Sequence, residues 1–414
     1  MQLEEAFISQ GLFIFAANLN DPFMIIFEEA LSIINNTRVS CTTEHVSLEI
    51  SAGRILAEDV YSDVEMPPFD KAAVDGFACR RADLHGLLEV IEVIPAGKQP
   101  EKAVTAGKCS RIMTGAMVPE GADTVIMVEH TEETEDGSVR FLKEKTSANI
   151  AYRAEDVKQG QQVLNKGTLL KPQHIAILAA VGIPEPLVFR QPVIGIISTG
   201  DELTEPDNKP GTGQIRNSNA WQLMAQANQL GLKTVYTGIA ADTPESVKKH
   251  ISEAFDKSDI VLLTGGVSMG DFDHVPEVMQ KLGVEIQFKS IAVQPGRPTV
   301  FGIRDEKFIF GLPGNPVSSF VQFELLVKQL VYRIMGHHFR PAVLRLPMAA
   351  EYSRKKAERK SFIPVRINAE GLIEPLEYHG SAHIHAYEEA NGLMAVEIGE
   401  AQIAKGEMRN VRQL

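Results

Sequence analysis

Apolar positions recur along the chain with two periods, and the changes between them divide it. Ile25, Ile26, Phe27, Ala30, Leu31, Ile33 and Ile34 repeat at helical spacing, which predicts an amphipathic helix over 24–36. From about Val46 the text turns to short alternating runs. Between Leu87 and Leu142 these are separated by Gly and Pro, as in a small β domain. Pro172 marks a helix start, and that helix ends at Gly182. From Pro192 strands alternate with helices. Strands are expected over Val193–Ser198, Lys233–Ile239, the apolar run that opens at Ile260 and 284–293, then in a hairpin carrying Phe308–Gly311. Helices are expected from Asn217 to Gly231, from Thr243 with Pro244 at its first turn, over 274–282, and from Pro316 to Met335. That alternation predicts a doubly wound α/β domain with glycine or acid turns along one edge. After Arg340 short strands return as a barrel or sandwich of about 75 residues.

The stretch that carries most chemistry runs from Ile260 to Asp273. Ile260-Val261-Leu262-Leu263 is short and apolar enough for a buried strand. It breaks into Thr264-Gly265-Gly266-Val267-Ser268-Met269-Gly270-Asp271-Phe272-Asp273. Strand, glycine-rich turn and helix place backbone N–H groups around a phosphate. Gly265, Gly266 and Gly270 allow close approach to a ligand. An ordinary βα turn with solvated acids fits the spacing equally well, because it is not that of a P-loop.

A second unusual stretch is Met66-Pro67-Pro68-Phe69-Asp70-Lys71-Ala72-Ala73-Val74-Asp75-Gly76-Phe77-Ala78. Two prolines followed by two acids exclude a regular helix start or a central strand, so a shaped loop is expected. Thr114, in Arg111-Ile112-Met113-Thr114-Gly115-Ala116, is either a turn cap or a hydroxyl aimed into a cleft.

Composition narrows the chemistry. With 23% charged and 44% hydrophobic residues, the 414-residue chain reads as globular, and its length calls for several domains. A net charge of −13 argues against non-specific nucleic-acid binding. Cys41, Cys79 and Cys109 form no CxxC pair, which fits a reducing cytoplasm. No apolar run approaches the roughly 20 residues needed to span a bilayer. Residues 1–23, with Glu4 and Glu5 ahead of the apolar piece Gly11–Ala17, read as a loose extension and not a targeting signal.

Asp70, Asp75, Asp156, Glu202, Asp242 and Asp273 all fall in expected loops. Carboxylates without neighbouring His or Cys suit Mg²⁺, which binds through one or two of them plus substrate phosphates. His337-His338 and His383-x-His385 lack the further ligands a zinc site needs. Phosphoryl or nucleotidyl chemistry follows, with acid–base catalysis by paired carboxylates left open.

Seven blocks in register resemble the MoeA family of molybdopterin molybdenumtransferases, which includes the gephyrin E domain. They are Pro68–Ala78, Arg111–Ala116, Glu155-Asp156, Ser198–Leu203, Gly265–Asp273, Pro295-Gly296-Arg297-Pro298 and Gly311–Ser318. The resemblance implies a MogA-like α/β domain over 24–42 and 191–337 and an elongated linking domain over 43–60 and 150–190. It also implies a β-rich insert over 61–149 and a β-barrel-like C-terminal domain over 338–414. A homodimer is implied, with Asp75 and Thr114 of one subunit set against the α/β domain of the other. So is Mg²⁺-dependent insertion of molybdate into adenylylated molybdopterin with release of AMP, a MogA-like adenylyltransferase being a candidate partner.

On that pattern Asp75, Glu202, Asp242 and Asp273 would hold Mg²⁺ or orient water, with Thr114 and Asp156 in the catalytic set. Gly265, Gly266, Ser268 and Gly270 would hold the pterin-side phosphate. Asn217, Gln294, Arg297, Pro298, Pro313, Asn315, Pro316, Ser318, Arg359 and Ser381 would complete the substrate site, molybdate falling to Arg297, Ser318, Arg359 and Ser381. The chain departs from the family's usual residues at Ala72 (serine), Asn217 (aspartate), Gln294 (lysine) and Arg297 (lysine). Loss of a lysine contact to the anion would cost about 1.5–3 kcal/mol. These departures motivate two alternatives, a catalytically weakened scaffold and a tungstate-selective relative.

Overall fold

The computed structural model describes residues 24–267 and 274–414. The expectations for residues 1–23, and for Ser268, Gly270, Asp271 and Asp273, lie outside the described residues. The chain forms two compact units. One consists of His45–Ala52 and Leu56–Val188; the other takes in Gly53–Ile55, Phe189–Leu414 and the described part of Met1–Glu44.

The first unit carries a six-stranded sheet in the order Thr124–Met127, Gly76–Cys79, Lys108–Ile112, Leu87–Ile94, Val139–Phe141, Thr131–Glu133. Phe77, Cys79, Leu88, Cys109 and Ile126 pack into one of its cores. Gly76–Cys79, expected as part of a loop, is instead a fully buried strand with neighbours on both sides. The prolines constrain only the chain before it. Gly76 permits the strand, because a side chain there would collide with the Ile126 carbonyl. The helix Pro172–Ala180 forms as expected and buries Leu178 in a separate cluster with Leu56, Leu170 and Val188.

The second unit is built on a mixed six-stranded sheet. Its strands are β1 (Ile194–Thr199), β2 (Thr234–Ala240), β3 (Ile260–Thr264), β4 (Glu285–Phe288), β5 (Val300–Arg304) and β6 (Lys307–Leu312). The spatial order is β2-β1-β3-β6-β5-β4. The first four of these run parallel and the last two add antiparallel. All residues of β1 and β3 are buried, which is why those segments do not alternate apolar with polar residues. Phe310 stacks on Phe301 across β6 and β5 with ring centres 4.7 Å apart. The helices are α1 (Asn219–Gln229), α2 (Pro244–Lys257), α3 (Val275–Lys281) and α4 (Pro316–Gln322). Thr243 caps α2 by accepting from the Ser246 N–H at 3.3 Å, and Val247, Ile251 and Phe255 form its buried stripe.

Three expectations need revision. The first helix begins at Phe27, because Met24–Ile25 instead pair in parallel with Ser290–Ile291. The run 284–293 breaks into Glu285–Phe288, Ser290–Ile291 and Val293–Gln294. Its last piece joins the C-terminal sheet, beside Lys360–Ser361. The helix from Pro316 is also not uniform: Phe323–Val327 widens into a π-helical turn before Lys328–Ile334.

The C-terminal sheet has the order Val293–Gln294, Lys360–Ile367, Gly392–Val396, Met408–Gln413, Val343–Pro347, with Ile373–Pro375 on Lys360–Ile367. Ile363, Val365, Met394 and Val411 fill its core. Among the described residues no helix is long and apolar enough to cross a membrane.

Candidate functional site

The carboxyl ends of β1, β2, β3 and β6 all point to one edge, and the turns that leave them line a cleft of about 870 Å³. Ligands of open α/β sheets bind at this edge. Thr199, Gly200 and Glu202 come from the first turn, Asp242 from the second, and Thr264, Gly265, Gly266 and Val267 from the third. Pro313, Gly314, Asn315 and Pro316 come from the fourth, and Pro298 closes one side.

Glycines let these turns approach one another. Gly265 has φ +92°, and a Cβ there would lie 2.5 Å from the Thr199 carbonyl oxygen and 2.6 Å from its Oγ1. Gly265→Ala is therefore expected to cost about 1–3 kcal/mol in a denaturant titration. Gly314 lies against the Cα of Gly265, and Asn219 Nδ2 donates to the Gly314 carbonyl at 2.7 Å, pinning the fourth turn to α1.

The first two turns are cross-tied. The Asp201 N–H donates to Asp242 Oδ2 at 3.3 Å, and the Asp242 N–H donates to Asp201 Oδ1 at 3.2 Å. Asp201 thus fixes the turn that carries Asp242. The Glu202 carboxylate folds back over Gly200, within 2.5 Å of where a Cβ would stand. Two carboxylates from adjacent turns give the small oxygen set with which Mg²⁺ is held together with substrate phosphates, so the residues present fit that ion. Among the described residues no group of three or more His, Cys, Asp or Glu is arranged to hold a metal. Substrate oxygens would have to complete the shell.

Two cations lie near each other behind Pro298, which lines this cleft. Arg359 has its pKa lowered, first by burial and then by the charge of Arg297, so two guanidiniums lie close enough to repel. The turn bearing Arg297 is rigid: Gly296 has φ +106°, Thr299 Oγ1 donates to the Gly296 carbonyl at 2.7 Å, and Gln322 Nε2 donates to the Pro295 carbonyl at 3.0 Å. Gln294 is half-buried in the short strand paired with Ser361. Ser381 accepts from Asn315 Nδ2 at 2.9 Å, and its carbonyl accepts from the Val317 N–H at 3.1 Å. Asn315 lines the cleft; Gln294, Arg297, Ser318, Arg359 and Ser381 do not, and Ser318 is buried.

Asn217 is a strut. Only 1% exposed, it accepts at Oδ1 from Ser198 Oγ (3.0 Å) and donates from Nδ2 to Tyr236 Oη (2.8 Å), which donates to Glu205 (2.6 Å). Burial, then the Glu205 hydrogen bond, push the Tyr236 pKa up, so the hydroxyl keeps the proton it donates. His385, set aside as a zinc ligand, lines the cleft, as do Ser218 and Asn219. Nothing in the spacing of His385 marked it, because it arrives on a loop distant in sequence.

Asp75, Thr114 and Asp156 belong to the other unit. Asp75 Oδ1 accepts from both the Thr114 N–H (2.6 Å) and the Thr114 Oγ1–H (2.7 Å). These two bonds, the backbone one larger, lower the Asp75 pKa. A depressed pKa keeps the carboxylate charged until pH falls below the ordinary aspartate range. Thr114→Val removes the second bond only, so the Asp75 pKa should rise part of the way back, which carboxyl-carbon NMR titration would follow. Asp156 is exposed, its N–H bonded to the Met66 carbonyl at 3.0 Å.

Comparison with known proteins adds a family to this geometry. Residues 25–182 match the MoeA N-terminal region (domain I and II), 195–333 a probable molybdopterin binding domain, and 347–414 the MoeA C-terminal region (domain IV). A molybdopterin molybdenumtransferase of Staphylococcus aureus is 35% identical over 390 residues, covering 92% of this chain and 93% of that protein. One from Staphylococcus epidermidis is 37% identical over 319 residues, 75% of this chain and 76% of that one. A solved molybdopterin biosynthesis MoeA protein from Pyrococcus horikoshii OT3 shares 31% identity and aligns with a TM-score of 0.81, covering 94% of this chain and all of that one.

Proposed function

The chain belongs to the MoeA family of molybdopterin molybdenumtransferases, enzymes of molybdenum cofactor biosynthesis, and from that premise we propose that its strand-edge cleft releases AMP from adenylylated molybdopterin while molybdate enters beside it. One observation carries the reading: two carboxylates, Glu202 and Asp242, share a glycine-walled cleft with Pro298, the residue after Arg297, whose charge is felt by Arg359. A phosphoanhydride wants carboxylates that can hold a divalent cation, whereas an oxyanion wants guanidinium and hydroxyl donors.

Glu202 and Asp242 would hold Mg²⁺. That ion, when bound, supplies neutralisation of the phosphate charge. The backbone of Gly265 and Gly266, stripped of side chains, gives the phosphates close access to N–H groups. Asp201 keeps Asp242 aimed through its two backbone ties. Arg297 and Arg359 offer planar forks to the molybdate oxygens, with the Ser381 hydroxyl beside Asn315 as a further donor. Cleavage adds the elements of water across the phosphoanhydride and frees AMP. Asp75, held ionised by Thr114, is supplied to the cleft by a second copy of the chain, and a MogA-like adenylyltransferase supplies the substrate. The three free thiols suit reaction in the cytoplasm.

The test uses purified protein with adenylylated molybdopterin, Mg²⁺ and molybdate. AMP should appear, together with a molybdenum-bearing pterin, and chelation by EDTA should stop both. AMP release that responds to tungstate and not to molybdate would reassign the oxyanion. Substrate binding with no AMP at any oxyanion concentration would overturn the reaction.

A further inference from the structure

A second cleft, of about 840 Å³, opens between α1, the π-helical turn and the end of the chain. It meets the first at Ser218 and Ile384 but shares none of its acids or glycines. Among the described residues three charged side chains line it: Glu324, Lys328 and Arg412. The 7%-exposed Glu324 carboxylate is already satisfied, accepting from Gln226 Nε2 and from Lys328 Nζ, each at 3.0 Å. Arg412 feels the Glu324 charge but, among the described residues, has no carboxylate paired to it. Among the described residues it makes one hydrogen bond, from Nη1 to the Glu324 carbonyl oxygen at 2.9 Å, and no ion pair. Burial lowers its pKa and the Glu324 charge offsets only part of that, so the guanidinium is removed from water with donors to spare.

The walls are aromatic. Tyr387 packs edge-on to Phe320 with centres 5.2 Å apart, and Tyr332 stacks on Phe339 at 4.6 Å. Lys328 Nζ sits 5.6 Å above the Phe339 ring, so its charge is already engaged. Side-chain amides, Gln222 and Gln226 among them, supply polar edges. Flat apolar walls, amides at the rim and one guanidinium with spare donors describe a pocket for a ring system carrying a negative group.

We infer that this second cleft binds a planar aromatic anion, with its carboxylate or phosphate on Arg412 and its rings between the walls built by Phe320, Tyr387, Tyr332 and Phe339. The inference is independent of the reaction assigned to the first cleft. Isothermal titration of the full chain with 1-naphthoate and with 1-naphthyl phosphate tests it, the two probes sharing a ring and differing in the anion. At least one should bind once per chain with Kd below about 1 mM, and the stronger identifies the group Arg412 prefers. Arg412→Gln should weaken that binding at least tenfold. Ala342→Trp, which fills the cleft from an exposed lining position, should do the same, while Asp242→Asn in the first cleft should leave it unchanged. Failure of both probes to bind, or binding untouched by both Arg412→Gln and Ala342→Trp, would overturn the assignment.

Discussion

Asp242→Asn is expected to slow AMP release by about a hundred- to a thousandfold with little change in thermal unfolding. The substitution keeps the side chain's size, the amide oxygen can take the place of Oδ2 and accept from the Asp201 N–H, and the Asp242 N–H still donates to Asp201, so the cross-tie between the turns is kept. What disappears is one of the two carboxylate charges that the described residues give the cleft. In the proposed site that charge holds Mg²⁺ against the phosphoanhydride, and an uncharged amide is a poor ligand for a hard dication. Steady-state turnover beside a melting curve checks both halves. A large loss of turnover with an equally large fall in Tm would mean that Asp242 serves the fold and not the reaction.

The second large effect is a recovery. Asp75→Asn and Asp242→Asn chains should each be nearly inactive alone. If the reacting cleft draws Asp75 from a second copy, a mixed dimer has one site bearing both lesions and one bearing neither. Random exchange of equal amounts makes half the dimers mixed, so about a quarter of wild-type turnover should return. Refolding or exchanging the two variants together and measuring AMP release decides it. Absence of any recovery, in a preparation shown to contain mixed dimers, would put both carboxylates on one chain or remove Asp75 from the reaction.

Much of the α/β sheet and its turns is legible in the sequence. Ile260-Val261-Leu262-Leu263 is apolar throughout because β3 is covered on both faces, and the Gly265-Gly266 pair that follows is required by contact with Thr199. The α2 start was equally plain, since Thr243, Pro244 and Glu245 each suit their positions at a helix N-terminus.

The misreadings share one cause, which is that tertiary neighbours overrode local signals. Pro67 and Pro68 made the whole of 66–78 look irregular, yet Gly76–Cys79 is a central strand, made possible by a glycine that fits against Ile126. Met24 and Ile25 continue a helical period, but a parallel partner at Ser290–Ile291 claims them. Asn217 falls among substrate residues by resemblance. It does line the cleft, and the structure also surrounds it with Ser198, Tyr236 and Ala220, so its amide is engaged in holding α1 to the sheet as well. With asparagine there, Nδ2 donates to Tyr236 while Tyr236 donates to Glu205; an aspartate would face the same hydroxyl with a second acceptor. The usual residue of the family and the one found here therefore imply different hydrogen-bond chains behind the same turn. Arg359, Ser381 and His385 reach this region from the C-terminal part of the chain, a juxtaposition that spacing cannot reveal.

The central claim is a division of labour between acids that work the phosphoanhydride and arginines that receive the oxyanion. Its most direct test is the molybdate dependence of AMP release in Asp242→Asn and in Arg297→Gln, measured side by side at saturating adenylylated molybdopterin and Mg²⁺. Asp242→Asn should lower kcat and leave the molybdate concentration for half-maximal rate near its wild-type value. Arg297→Gln should raise that concentration by about tenfold or more while leaving kcat nearly intact. If the two variants instead lower kcat alike, with no separation in their response to molybdate, acids and arginines do not divide the work as assigned here.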